Sequence, residues 1–204
     1  EEVTKQLVAS GGLNTTNFKS ANQNLISGNP ALTLEALEDA IDAANKQTWN
    51  GKLIRPVTQF ALVIPRSLEM TARKILSVQE IRTQNGTGSG STVTIAGNPI
   101  APSQVTIVVN DWITRINSSA SNYWFLIPVP GQALNPAVAL GFLRGYETPE
   151  LRIKSNGGLY LGGGQVPARE GSFDNDDWEM RIRHIATGGF IVPAGTLAST
   201  GAGS

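Results

Sequence analysis

The 204-residue chain carries 16 basic and 16 acidic residues, so its formal charge is zero and it lacks the electrostatic footprint for wrapping nucleic acid or docking on an anionic membrane. It has no cysteine and a single histidine, His184, which excludes disulfides within the chain, thiolate chemistry and every Cys/His zinc arrangement. With 40% hydrophobic residues it can bury a sizeable core, and no stretch approaches the ~20 apolar residues of a bilayer span or the apolar run of a secretory signal, so a soluble chain of one large or two small domains is expected.

The sequence opens at Glu1 rather than methionine, which implies a processed, trimmed or partial polypeptide. Residues 10–30 are polar, with Gly11, Gly12, Asn14, Asn17, Asn22, Asn24 and Asn29 spread without a period, and they read as an arm or connection. The next segment, TLEALEDAIDAANKQ at residues 33–47, places Leu34, Leu37, Ile41 and Ala44 on one helical face and Glu35, Glu38, Asp39 and Asp42 on the other. That spacing predicts an amphipathic helix. Thr33 suits its N-cap, the early acids suit the positive end of the helix dipole, and Lys46 suits the negative end. Burial of each leucine or isoleucine contributes about 1.5–3 kcal/mol, more than an exposed ion pair, so packing fixes this helix. Asn50-Gly51 signals a tight turn, and residues 52–64 are rich in strand formers, with Pro56 best placed near an edge or a strand start.

The stretch FALVIPRSLEMTARKIL, residues 60–76, runs from an apolar segment through Pro65 into a helical pattern of Leu68, Ala72, Ile75 and Leu76. Proline fixes a helical φ and gives up an N–H that a first helical turn leaves unpaired, so this is a strand-to-helix junction. A nucleophile elbow would need G-x-S-x-G with a histidine partner, whereas Ser67 sits in P-R-S-L-E and His184 lies far downstream. A phosphate cradle would need glycines and a lysine that this turn lacks. The joint is expected to pack, not to react.

Residues 85–91, NGTGSGS, read as a flexible hairpin tip, because residues 92–95 look like a strand and so withhold the helix N-terminus a dinucleotide loop requires. Residues 104–109 and 123–129 read as two further strands of one sheet. Helix, strand and helix interleaved with hairpins, without a sustained βαβ repeat, favour an α+β fold. Gly157, Gly158, Gly162, Gly163 and Gly164 then interrupt regular structure. Asp174, Asp176 and Asp177 resemble a cation loop only superficially: calcium would need an oxygen ligand at Trp178, a glycine at Glu179 and a glutamate near Ile185. An acidic turn is expected, with no metal. In WEMRIRHI, residues 178–185, strand alternation puts Trp178, Met180, Ile182 and His184 on one side and Glu179, Arg181, Arg183 and Ile185 on the other. The arginines therefore share a face, where a solvated or interface role is favoured over phosphate binding. His184 reads as structural. No catalytic constellation assembles, and no cofactor is expected.

NLISGNPALTLEAL (24–37), GKLIRP (51–56), ALVIPRSLEMTARKIL (61–76), Asn98-Pro99, the strand at 105–109, YWFLIP (123–128), GFLRGYETPEL (141–151) and MRIRHIATGGF (180–190) occur in an order that resembles tailed-phage major capsid proteins of the Mu-like major head subunit type. The resemblance implies an α+β fold of the Hong Kong ninety-seven type, with a peripheral domain of long helix and narrow sheet and an axial domain that meets neighbours at five- and six-fold axes. It implies residues 1–48 as connection and long helix of the peripheral domain, 49–140 as axial core, 141–185 as a peripheral return, and 186–204 as a segment returning to the axial domain. An N-terminal arm and extended loop preceding Glu1 are also implied. The function implied is self-assembly into hexamers and pentamers of an icosahedral shell around double-stranded DNA, in the virion, after assembly in the bacterial cytoplasm. Its partners would be other copies of itself, with scaffold, portal or decoration proteins and non-specific contact with packaged DNA, and no membrane. Glu147 and Glu150 are the expected intersubunit partners of Arg181 or Arg183. An encapsulin-like compartment shell and a capsid-associated binding module are the alternative readings.

Overall fold

The computed structural model describes residues 1–53, 57–78, 80–85, 92–98, 100, 103–132, 136–154 and 156–203. In chain order the elements are α1 (Glu2–Lys5), β1 (Val8–Ala9), β2 (Gly12–Leu13), α2 (Leu34–Lys46), β3 (Thr48–Trp49), β4 (Lys52–Leu53), β5 (Phe60–Ile64), α3 (Glu69–Ser77), β6 (Glu80–Asn85), β7 (Thr92–Gly97), β8 (Val105–Val109), α4 (Trp112–Ile116), β9 (Trp124–Pro128), β10 (Val138–Phe142), β11 (Glu150–Ile153), β12 (Met180–Arg183), β13 (Ala186–Phe190) and β14 (Leu197–Ser199). Small sheets and a few short helices make a mixed α+β chain. It divides into two units, one formed by Glu1–Ala139 with Gly188–Ser204 and the other by Leu140–Thr187.

The first unit is built on a four-stranded sheet in the order β14-β9-β5-β8. β5 runs parallel to β8, from Phe60 opposite Val105 to Ile64 opposite Val109, and antiparallel to β9, while β14 pairs antiparallel with β9. FALVI is continuously apolar because both faces of this sheet are covered. On one face Phe60, Leu62, Ile64, Trp124, Leu126 and Leu197 join Leu37, Ala40 and Ala44 of α2 and Ala72 of α3. On the other, Val63, Phe125 and Ala198 meet Leu7, Val8, Phe18, Ile113 and Ala120. Phe18 lies 5.5 Å from Phe125 and 5.4 Å from Phe190, ring centre to ring centre, in the tilted and edge-on geometries that aromatic quadrupoles favour.

α2 follows the expected pattern. Thr33 Oγ1 accepts the Ala36 N–H at 3.1 Å, Leu37 and Ala44 are fully buried, and Leu34 and Ile41 are partly buried against the same core. The Asn50-Gly51 turn joins β3 to β4 with both residues at positive φ, 52° and 74°, as a two-residue hairpin turn requires. Pro56 lies outside the described residues. At the 60–76 joint the helix begins later than the sequence suggests. Pro65 is extended, with ψ 162°, and caps a 3-10 turn, Arg66–Leu68, that leads into α3. The residues of the proposed glycine-rich tip lie outside the description except Asn85, but the strands flanking it pair antiparallel from Glu80–Gly97 to Asn85–Thr92. Residues 10–30 are not a free arm. Phe18 and Asn24 are buried, and Asn24 is satisfied by donating to the Asn17 carbonyl at 2.8 Å and accepting the Lys19 N–H at 3.0 Å. Polar composition concealed this packing because asparagines such as Asn22 and Asn24 are satisfied by backbone groups within the segment, while Asn29 accepts the Thr200 N–H from the far end of the chain.

The second unit contains β11 paired antiparallel with β12, glycine-rich turns and the acidic turn. Among its described residues only Gly171 is buried. Every buried hydrophobic side chain described lies in the first unit.

Candidate assembly surface

The four residues singled out by sequence, Glu147, Glu150, Arg181 and Arg183, all fall in the second unit. The register of the β11–β12 ribbon sets Glu150 opposite Arg183, Leu151 opposite Ile182, Arg152 opposite Arg181 and Ile153 opposite Met180. Directly opposed residues share a face, and alternate residues along a strand change face. The ribbon is therefore two-sided: Glu150, Arg152, Arg181 and Arg183 on one side, Leu151, Ile153, Met180 and Ile182 on the other. The arginines share a face, as their spacing predicts. The apolar side was only half seen in the sequence, through Met180 and Ile182; the alternation E-L-R-I at 150–153 is the signal that completes it.

On the charged face, Glu150 binds Arg152 two residues along the same strand, with Oε1 accepting from Nε at 2.8 Å and from Nη2 at 2.7 Å. Arg183 lies with its guanidinium carbon 4.7 Å from the centre of the Tyr146 ring, within cation–π range. Glu147 folds back on its own loop, both carboxylate oxygens accepting the Gly145 N–H at 3.0 and 3.1 Å. Hydrogen bonds from its own amide and from that of Gly145 hold its carboxyl below the usual glutamate range. Beyond the ribbon, Lys154 donates to Glu179 at 2.9 Å, and this bond raises the lysine's proton affinity.

Nothing described in the remaining candidates forms a reactive centre. Ser67 donates its hydroxyl to the Ser121 carbonyl. His184 stacks on Phe142 at 5.4 Å, with Nε2 3.4 Å from the Glu147 carbonyl oxygen. The acidic segment is a turn: Asp176 has φ 54°, the Ser172 N–H donates to the Asp177 carbonyl at 2.6 Å, and the Ser172 hydroxyl bonds the Asp177 carboxylate. Among the described residues no three His, Asp or Glu side chains converge in a metal-binding group. An apolar cavity of about 300 Å³ in the first unit is lined by residues such as Val3, Leu7, Ala61, Val63 and Ile127, and Asn110, its sole amide side chain, donates to Thr4 Oγ1. No helix of the described residues is long and apolar enough to cross a membrane.

Among the described residues, the polar pocket lined by Lys154, Ser172, Asp177 and Glu179 engages these groups with each other, Lys154 with Glu179 and Ser172 with Asp177. No curated protein matches the chain. Residues 1–199 match the family of phage capsid proteins, and the chain belongs to that family of structural, non-enzymatic proteins.

Proposed function

We propose that the chain is a major head subunit of the Mu-like type with a Hong Kong ninety-seven type fold, assembling as hexamers and pentamers into an icosahedral shell around double-stranded DNA in the virion. The observation that carries this reading is the family match across residues 1–199, which takes in both units of the chain. In the apportioning that accompanies it, residues 1–48 form the connection and long helix of the peripheral domain, residues 49–140 the axial core, residues 141–185 the peripheral return and residues 186–204 the segment returning to the axial domain. Its C-terminal part is supported by the pairing of β14 with β9, which brings residues 186–204 back to the sheet of residues 49–140. A chain without net charge lets identical copies approach without general repulsion, so many modest contacts can add up to a closed lattice. At those contacts Glu147 and Glu150 of one copy pair with Arg181 or Arg183 of a neighbour, exchanging local partners for ones across the interface.

Electron microscopy of the purified full-length protein, with a nuclease-protection assay for enclosed DNA, tests the proposal. Icosahedral particles that protect DNA are expected. Particles that enclose protein cargo without DNA would move the reading to a compartment shell, and a monomer or trimer that only decorates existing shells would overturn it.

A further inference from the structure

The second unit presents a physical contradiction if it stands alone. It spans Leu140–Thr187, yet among its described residues only Gly171 is buried, so no hydrophobic side chain there reaches a core. Small segments that bury so little usually depend on metals, disulfides or association for their stability. The chain has no cysteine, and no three metal-ligating side chains converge among the described residues. Association remains.

The ribbon shows where. Leu151 is 58% exposed, Met180 53% and Ile182 69%, and with Ile153 they form one aliphatic face on a two-stranded sheet whose other face is charged. A two-stranded ribbon is marginal in water, and an uncovered aliphatic face on it is an aggregation hazard unless something covers it. Eleven large apolar side chains between Leu140 and Ile182 stand exposed in this unit. At side-chain areas of ~150–250 Å², about half exposed, they offer on the order of 1,000 Å², comparable to the ~800 Å² per partner of a stable protein interface.

We propose that the aliphatic face of the β11–β12 ribbon, Leu151, Ile153, Met180 and Ile182, is an interface that seats on a second copy of this chain. The occupant is argued from three facts together: the exposed apolar area of the unit that carries this face, to which the face contributes about a third, matches one side of a protein interface, the chain carries no net charge to oppose self-association, and the family is one of phage capsid proteins, whose shells are built from repeated subunits. The inference rests on the shell reading and names the surface through which it works. The charged face, with Glu150, Arg152, Arg181 and Arg183, is then turned away from that copy and open to a different neighbour, where charge selects register more than it adds affinity.

The test uses the full chain. Ile182→Asp places a charge on a side chain that is exposed in the single subunit, so circular dichroism and the thermal midpoint of the unassembled protein are expected to match wild type, while particle yield falls at least tenfold. Wild-type yield from this variant would overturn the proposal and leave the shell reading standing; absence of particles from the wild-type chain would instead defeat the shell reading itself. A photo-crosslinking residue at position 182, in a mixture of ¹⁴N- and ¹⁵N-labelled chains, supplies the second measurement. Crosslinked peptides of mixed label support packing between copies. Crosslinks of a single label only, or to another protein, overturn it.

Discussion

Gln47 joins three chain segments through one side chain. It is buried, donates from Nε2 to the Gln23 carbonyl at 2.6 Å and the Thr196 carbonyl at 3.0 Å, and accepts the Gly195 N–H on Oε1. Gln47→Ala would leave those backbone groups without partners in a site too enclosed for easy hydration. A loss of about 2–3 kcal/mol is expected by urea unfolding, against roughly 0.5 kcal/mol or less for an exposed substitution. Glu147 gives a prediction in pH. Its folded pKa is depressed, so its loop contribution is complete above the unfolded value and lost as pH falls through the folded one. Followed by NMR on the unassembled chain, the Gly145 amide should titrate with a midpoint below the ~4.3 of an unperturbed glutamate, and the titration should vanish in Glu147→Gln. A midpoint at or above that value would show that the loop does not hold the carboxylate.

α2 shows what a periodic pattern can and cannot convey. The 3.6-residue spacing identified the buried face and Thr33 identified the cap, because both are local properties of the chain. Its depth of burial was not local: Leu37 is fully enclosed whereas Ile41 lies partly open at the core's margin. Leu37→Asp should therefore abolish the folded state, since an unpaired charge there has no route to water, while Ile41→Asp should leave a folded but weakened chain. Soluble yield and far-ultraviolet circular dichroism distinguish the two, and equal behaviour would mean the helix sits differently on the sheet. The strand pairings were legible only in part. Alternation and apolar runs marked β5, β8 and β9 as strands of one sheet, but nothing local announces that β5 lies between β8, parallel, and β9, antiparallel, or that the three residues of β14 complete the sheet from the far end of the chain. The ribbon residues were legible as alternation. That neither side of the ribbon is covered was not, because burial depends on what the rest of the chain brings to it.

At the scale of the whole molecule, stability and assembly are assigned to different parts of the sequence. Both hydrophobic clusters belong to the first unit, and the second contributes turns, ion pairs and uncovered apolar side chains. Charge reversal at both Arg181 and Arg183 should accordingly impair particle formation while leaving the thermal midpoint of the subunit nearly unchanged; unaltered particle yield would remove those arginines from the interface. The stronger separation comes from excision. β10 and β13 are paired, and a Cβ placed on Gly141 would lie 3.5 Å from the Thr187 methyl carbon, so a short Gly-Ser turn can rejoin the chain across residues 142–186. Because no described core side chain is removed, the shortened protein should remain folded, with an unfolding midpoint within a few degrees of the full chain, yet sediment as a monomer at concentrations where the full chain forms shells. If it unfolds, the excised residues help hold the first unit together and the division of labour is wrong; if it still builds particles, the lattice contacts lie in the first unit.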